Sequence, residues 1–285
     1  MSLLLLVATT GFGEVLPAPL ETPPFEYTLN ESVRALPGLV LLGSSPNEVT
    51  DFTEWFDRIW VWPAITYHNG GVNDATRGTT PPRGIDRVLR TPGAGRFYLY
   101  QVIFGDEAAI AFYGSPPNRF GVVLDPRILV IHDPATMGIV RVFDFINYAH
   151  CPGDDPADTA FTFQQLVWAE VLDNVLYVSN AHPAYAGSSG GENAYVTAIS
   201  LDPLGLLWRS QPLVSNSGNF LILGDAIITG YGFADEDDYI YELDRLTGEV
   251  VDRIGVPSAP EYLFARHDTL FVRCYDTDLV YGIRW

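Results

Sequence analysis

This chain has no lysine; all 16 of its basic residues are arginine, set against 35 acidic ones, for a net charge of −19. A surface that acidic repels nucleic acid and anionic membrane, because binding either requires neutralising phosphates. Cysteine is nearly absent as well. Cys151 and Cys274 could bridge in an oxidising compartment, or stand as a loop thiol and a buried thiol. Long apolar runs are missing: Leu3-Leu-Leu-Leu-Val7 is far too short to span a bilayer. No convincing amphipathic helix interrupts the pattern. Phe161 to Val171 comes nearest, and it reads equally well as a strand. Catalytic signatures are missing too. There is no Gly-x-Ser-x-Gly elbow, no His-Glu-x-x-His, no phosphate loop and no dinucleotide glycine pattern after a strand.

What the chain does have is a recurring phrase. Tyr239-Ile-Tyr-Glu-Leu-Asp244-Arg-Leu-Thr-Gly248-Glu-Val-Val reads as a strand, a tight turn and a second strand. Asp can bond its own backbone and Gly accepts positive φ, so Asp244 and Gly248 suit the two ends of a hairpin loop. Asp202-Pro-Leu-Gly205 and Asp133-Pro-Ala-Thr-Met-Gly138 repeat the idea, with weaker copies at Arg83-Gly84 and Gly13-Glu14. A second phrase precedes the strong copies: a strand, Asp or Asn, and another apolar strand. It occurs at Val171–Val178, Leu221–Ile228, Leu263–Val272 and Val102–Ile110, and loosely at Val33–Leu42. Together the phrases give four short antiparallel strands per unit. One such sheet has two apolar faces and cannot bury itself, whereas stacking the sheets radially buries both.

The expected fold is therefore all-β: a β-propeller of four-stranded antiparallel blades, forming one domain over residues 1–285. Residues 1–31 read as an N-terminal hairpin and a Pro-rich connection, followed by candidate blades at 32–92, 96–147, 161–214, 215–258 and 259–285. The last unit shows three strands. Leu3–Val7 with Glu14–Leu16 resembles the missing hairpin, so pairing of N- and C-terminal strands would close the ring at about five blades, or about six if that hairpin starts a blade of its own. The Leu run reads alternatively as the core of a clipped signal peptide, which would imply export to a periplasmic or extracellular space.

The Asp244-to-Gly248 hairpin resembles that of quinoprotein-type (PQQ-like) β-propeller repeats, where a strand, an Asp, a Thr-Gly turn and a following strand recur. The resemblance is strongest over residues 161–285 and extends to 96–147. The family's Trp after the turn is matched by Trp208 alone. The resemblance implies a propeller and leaves function open, with quinone-dependent oxidoreductase chemistry among its possibilities.

Blades supply a rigid scaffold and connections carry chemistry, so long loops are the place to look for a site. In residues 66–84, His68, Asn69 and Asp74 could ligate a metal or bond a sugar. In residues 180–194, His182 and Tyr185 could line the mouth of a central channel. Asp235, Asp237 and Asp238, and separately Asp154, Asp155 and Asp158, offer the oxygen donors that calcium prefers, although neither spacing matches an EF-hand. A solvated charged loop is the plainer reading of both. Six Trp and fifteen Tyr suit a sugar-binding surface or, more simply, packing between blades. The leading expectation is a non-enzymatic scaffold that binds a protein or a small ligand. The alternatives are a quinone-dependent or metal-assisted enzyme and a carbohydrate-binding propeller. No cofactor is expected outright.

Overall fold

The computed structural model of the chain describes residues 36–47, 81–91, 95–158 and 161–285, with the backbone of two short strands at 14–15 and 65–68. Apart from two single-turn 3-10 helices, Ile146–Tyr148 and Ala186–Ser189, the described elements are β-strands.

Four strands come first: β1 (Glu14–Val15), β2 (Gly38–Pro46), β3 (Ile65–His68) and β4 (Val88–Thr91). A meander follows, made of β5 (Gly95–Phe104), β6 (Ala109–Gly114), β7 (Ile128–His132) and β8 (Ile139–Asp144). Both β3 and β4 add to β5, and β1 runs parallel beside β8. The second sheet is β9 (Gln165–Leu172), β10 (Val175–Ala181), β11 (Tyr195–Leu201) and β12 (Leu204–Arg209). The third is β13 (Leu221–Leu223), β14 (Ala226–Tyr231), β15 (Tyr239–Asp244) and β16 (Val250–Gly255). The fourth joins β17 (Pro260–Arg266), β18 (Thr269–Cys274) and β19 (Thr277–Arg284) to β2 from far earlier in the chain. Four-stranded antiparallel meanders stacked face to face make the fold a β-propeller.

The turns explain why each meander folds locally. Between β9 and β10 lie only Asp173 and Asn174, both at positive φ (54° and 62°). A two-residue hairpin that matches strand twist needs that conformation twice, and Asp and Asn tolerate it best after Gly. Between β15 and β16, Asp244 Oδ1 accepts the Leu246 N–H at 2.8 Å, and the Gly248 N–H donates to the Asp244 carbonyl at 2.8 Å. Gly248 sits at φ +75°, a conformation that a side chain would strain.

The repeats bury one another. One apolar core runs through the first three sheets, and a second joins β14 and β15 to β17, β18 and β19. The indole of Trp208, 5% exposed, lies over Gly248 of the next sheet. A Cβ at Gly248 would stand 2.7 Å from the ring's Cδ2. The indole N–H donates to the Arg245 carbonyl at 3.2 Å, so one side chain locks the second sheet to the hairpin of the third. Asn219 ties the third sheet to the fourth: its amide donates to the Leu263 carbonyl at 2.7 Å and its oxygen accepts the Leu263 N–H at 2.8 Å.

Closure differs from the sequence expectation in its partner. The missing strand of the last blade is β2 rather than the Leu3–Leu16 hairpin. In register, Gly38 stands opposite Arg284 and Pro46 opposite Thr277. That pairing covers β19 over nearly its full length, which a shorter hairpin strand could not do. Glu14 and Val15 instead stand beside Phe143 and Asp144, and Leu3–Val7 lies outside the described residues. Of Val33–Leu42, read loosely as two strands around Gly38, Gly38–Leu42 begin one continuous strand, and Val33–Ala35 lie outside the described residues. Cys151 and Cys274 are both free thiols.

Candidate functional site

Alternating strand order sends the first and third turns of each meander to one end of the propeller and the second turns, including residues 115–127, 182–194 and 232–238, to the other. The loop end holds most of the residues singled out from the sequence. His182, 2% exposed, has its polar atoms met within its own loop. Ser189 Oγ donates to the Ala186 carbonyl at 3.2 Å, which leaves it to accept from His182 Nε2–H at 2.9 Å. Nδ1 accepts the Ala184 N–H at 3.3 Å. The backbone of His182 exchanges two bonds with the Asn193 amide. Burial lowers the imidazole pKa, in keeping with a ring that donates through Nε2 and accepts at Nδ1. Its geometry is that of a loop fastener.

Tyr185 is half exposed and meets Phe233 edge to face at 5.1 Å, which brings loops 182–194 and 232–238 together. Glu236 clasps the same two loops. Its Oε1 accepts the Ala186 N–H at 2.7 Å and its Oε2 accepts a short bond from the Tyr231 hydroxyl. Asp235 and Asp237 are exposed, while Asp238 is half-buried. Burial, then the neighbouring Asp237, Asp276 and Glu236, raise the Asp238 pKa. Among the described residues no three His, Cys, Asp or Glu side chains gather into a group able to hold a metal ion, so the three aspartates do not converge on a common point. In the other acidic loop, Asp154 accepts from His150 Nδ1 at 2.9 Å and from the Cys151 N–H at 3.2 Å, Asp155 caps Ala157, and Asp158 accepts from Ser188 Oγ. His68 ends β3 opposite Gln101. Asn69 and Asp74 lie outside the described residues.

The feature that sequence reading missed lies on the axis. Where β5, β9, β17 and the segment entering β13 approach one another, they enclose a cavity of about 280 Å³. That is close to the smallest of typical small-molecule sites, at roughly 300 Å³. Its walls are mainly apolar, with Ile103, Ile110, Trp168, Phe220 and Phe264. Two carboxyl groups, Glu170 and Asp106, interrupt them. Trp168 and Glu170 are two residues apart on β9, so the pleat sends both to one side. Burial, reinforced by Asp106 and Glu107, pushes the Glu170 carboxyl up to about 7. The Trp168 indole N–H is buried without a hydrogen-bond partner. The signal was present in the sequence: Glu170 is the one charge in the apolar run Leu166–Leu172. A carboxyl in a propeller's innermost strand is exposed to the axis by the fold, not by any local motif.

No family model matches the chain, and none of the curated proteins is recognisably similar to it. Among solved structures it is similar to BamB from Moraxella catarrhalis, at 10% identity over 86% of this chain and 100% of that one, with a TM-score of 0.36. It is similar to glutaminyl cyclase from Myxococcus xanthus at 10% identity, over 87% and 98% of the two chains, with a TM-score of 0.38. The β-propeller domain of Cps50 (Swd1) from Myceliophteria thermophila is similar at 10% identity, over 66% and 54% of the two chains, with a TM-score of 0.38. The propeller assignment itself rests on the strand order given above.

Proposed function

We propose that the chain is a non-enzymatic propeller scaffold, built of PQQ-like repeats, that binds a small molecule in its central cavity. The observation that carries this reading is the cavity on the axis: about 280 Å³, lined mainly by apolar residues with Asp106, Glu170 and Asn219 among them. That is the composition of small-molecule sites in general. The packing of Trp208 on the Asp244-to-Gly248 hairpin supports the PQQ-like character of the repeats. The binding reading is favoured over catalysis because both histidines of the loop end are held by neighbouring side chains, His182 by Ser189 and His150 by Asp154. The net charge of −19 speaks against phosphate-rich partners.

Melting temperatures measured with a panel of neutral, cationic and anionic fragments sized for the cavity test this. A ligand that prefers the native state must raise the melting temperature. Ala265→Leu, which fills the cavity wall, must abolish the shift. A panel without any shift, or a shift that survives Ala265→Leu, would contradict the reading.

A further inference from the structure

The central cavity has a sign. Its lining includes two carboxyl groups and no basic side chain. Among the described residues, neither Glu170 nor Asp106 has a hydrogen-bond or ion-pair partner for its carboxyl group. Glu107, on the same β5–β6 turn as Asp106, accepts the Asp173 N–H at 3.1 Å. Facing Glu170 across the sheet is Tyr177 of β10, and facing it from the β5–β6 turn are Asp106 and Glu107. Among the described residues, no arginine is part of the cavity lining. Aromatic side chains stand among the remaining, mostly aliphatic walls: Trp168, Phe220 and Phe264. An unpaired carboxylate in a largely apolar site, as Glu170 is, is costly, and a ligand that pairs with it relieves that cost. Ring faces attract the same charge sign that carboxylates do.

We propose that the central cavity binds a small organic cation, a protonated amine carried on a compact apolar or aromatic body. The ammonium group sits against Glu170 with Asp106 nearby, and the body fills the space between the aromatic walls. The volume of about 280 Å³ limits the body to roughly one ring. This inference rests on the cavity being the ligand site and adds the chemistry it selects. A metal ion is not the occupant it describes, since no three His, Cys, Asp or Glu side chains converge among the described residues.

Calorimetric titration of the intact chain with 2-phenylethylamine, with its neutral analogue 2-phenylethanol and with the anion 3-phenylpropionate tests the proposal. At pH 8 the amine should bind about tenfold or more tightly than the alcohol, and the anion should bind weakest. Lowering the pH to 5.5 protonates Glu170 while an alkyl amine stays charged, so affinity for the amine should fall about tenfold or more. Glu170→Gln should remove that preference and its pH dependence, with a melting temperature checked in parallel. Asp106→Asn, on an exposed turn, should weaken the amine about threefold and serves if Glu170→Gln fails to fold. Equal binding of amine and alcohol, tighter binding of the anion, or an amine affinity unmoved by both variants would overturn the cation reading while the cavity remains a ligand site. Binding of none of the three would overturn both.

Discussion

Trp208 and Gly248 should be energetically coupled, because each occupies the space that the other leaves. The indole is 5% exposed, tilts against Tyr177 at 6.0 Å between centroids, and donates its N–H to the Arg245 carbonyl. Trp208→Ala removes the ring and the bond together and should cost about 3–5 kcal/mol. Trp208→Phe keeps much of the packing and should lose about 1 kcal/mol for the bond, plus a small shape penalty. Gly248→Ala has two separate costs. Its φ of +75° penalises any Cβ by about 1–2 kcal/mol, and the new methyl would stand 2.7 Å from the indole Cδ2, forcing the ring to shift for a further ~1–3 kcal/mol. Once Trp208 is alanine, only the φ cost remains. The double variant should therefore be more stable than the sum of the single losses predicts, by about 1–3 kcal/mol. Equilibrium urea unfolding of the four proteins, followed by far-UV circular dichroism, measures this directly. Additive losses within about 0.5 kcal/mol would show that Trp208 and Gly248 do not interact and remove Trp208 as the lock between the second and third sheets.

Further expectations follow from the same structure. Glu170 holds its proton in the folded state up to about pH 7, against an ordinary value of 4.5, so native stability should fall as pH rises between those values and level off above. Glu170→Gln should flatten that slope, gaining about 1–2 kcal/mol at pH 8 and nothing at pH 4, as read from urea midpoints at each pH. Glu242 stands opposite Asp252 across β15 and β16, and burial first, then that neighbour, pushes its carboxyl up to about 7. Asp252→Asn should lower the Glu242 pKa by carboxyl NMR titration and gain about 0.5–1 kcal/mol at pH 8 by relieving a like-charged cross-strand pair. Asn219→Ala strips both bonds from the buried Leu263 backbone and should cost about 2–4 kcal/mol, with hydrogen exchange quickening first at the amide of Leu263.

The parts of the fold that are local were legible in the sequence. Asp173-Asn174 and Thr247-Gly248 announce their hairpins because the turn's backbone demand falls on the residues at the turn itself. The same turns, recurring between apolar runs, are enough to imply stacked four-stranded sheets. Closure was legible in kind but not in partner. The strand that completes the last sheet, Gly38–Pro46, lies far from Thr277–Arg284 in sequence, and several apolar runs near the start of the chain could have filled the role. The loops announced themselves by Gly, Asn and His, but whether a histidine points at a ligand or at its own loop depends on a single hydroxyl, here Ser189. The cavity was hidden for a different reason. Ile103, Glu170, Phe220 and Phe264 are brought together only when separate sheets converge on the axis, and no spacing along the chain records that convergence.

A crystal structure of the protein grown with 2-phenylethylamine would test the central claim most directly. The amine should lie on the propeller axis, its nitrogen within hydrogen-bond reach of Glu170 and its ring against Trp168, Phe220 or Phe264. Density for the amine at the loop end beside Tyr185, or an axis occupied by water alone, would contradict it.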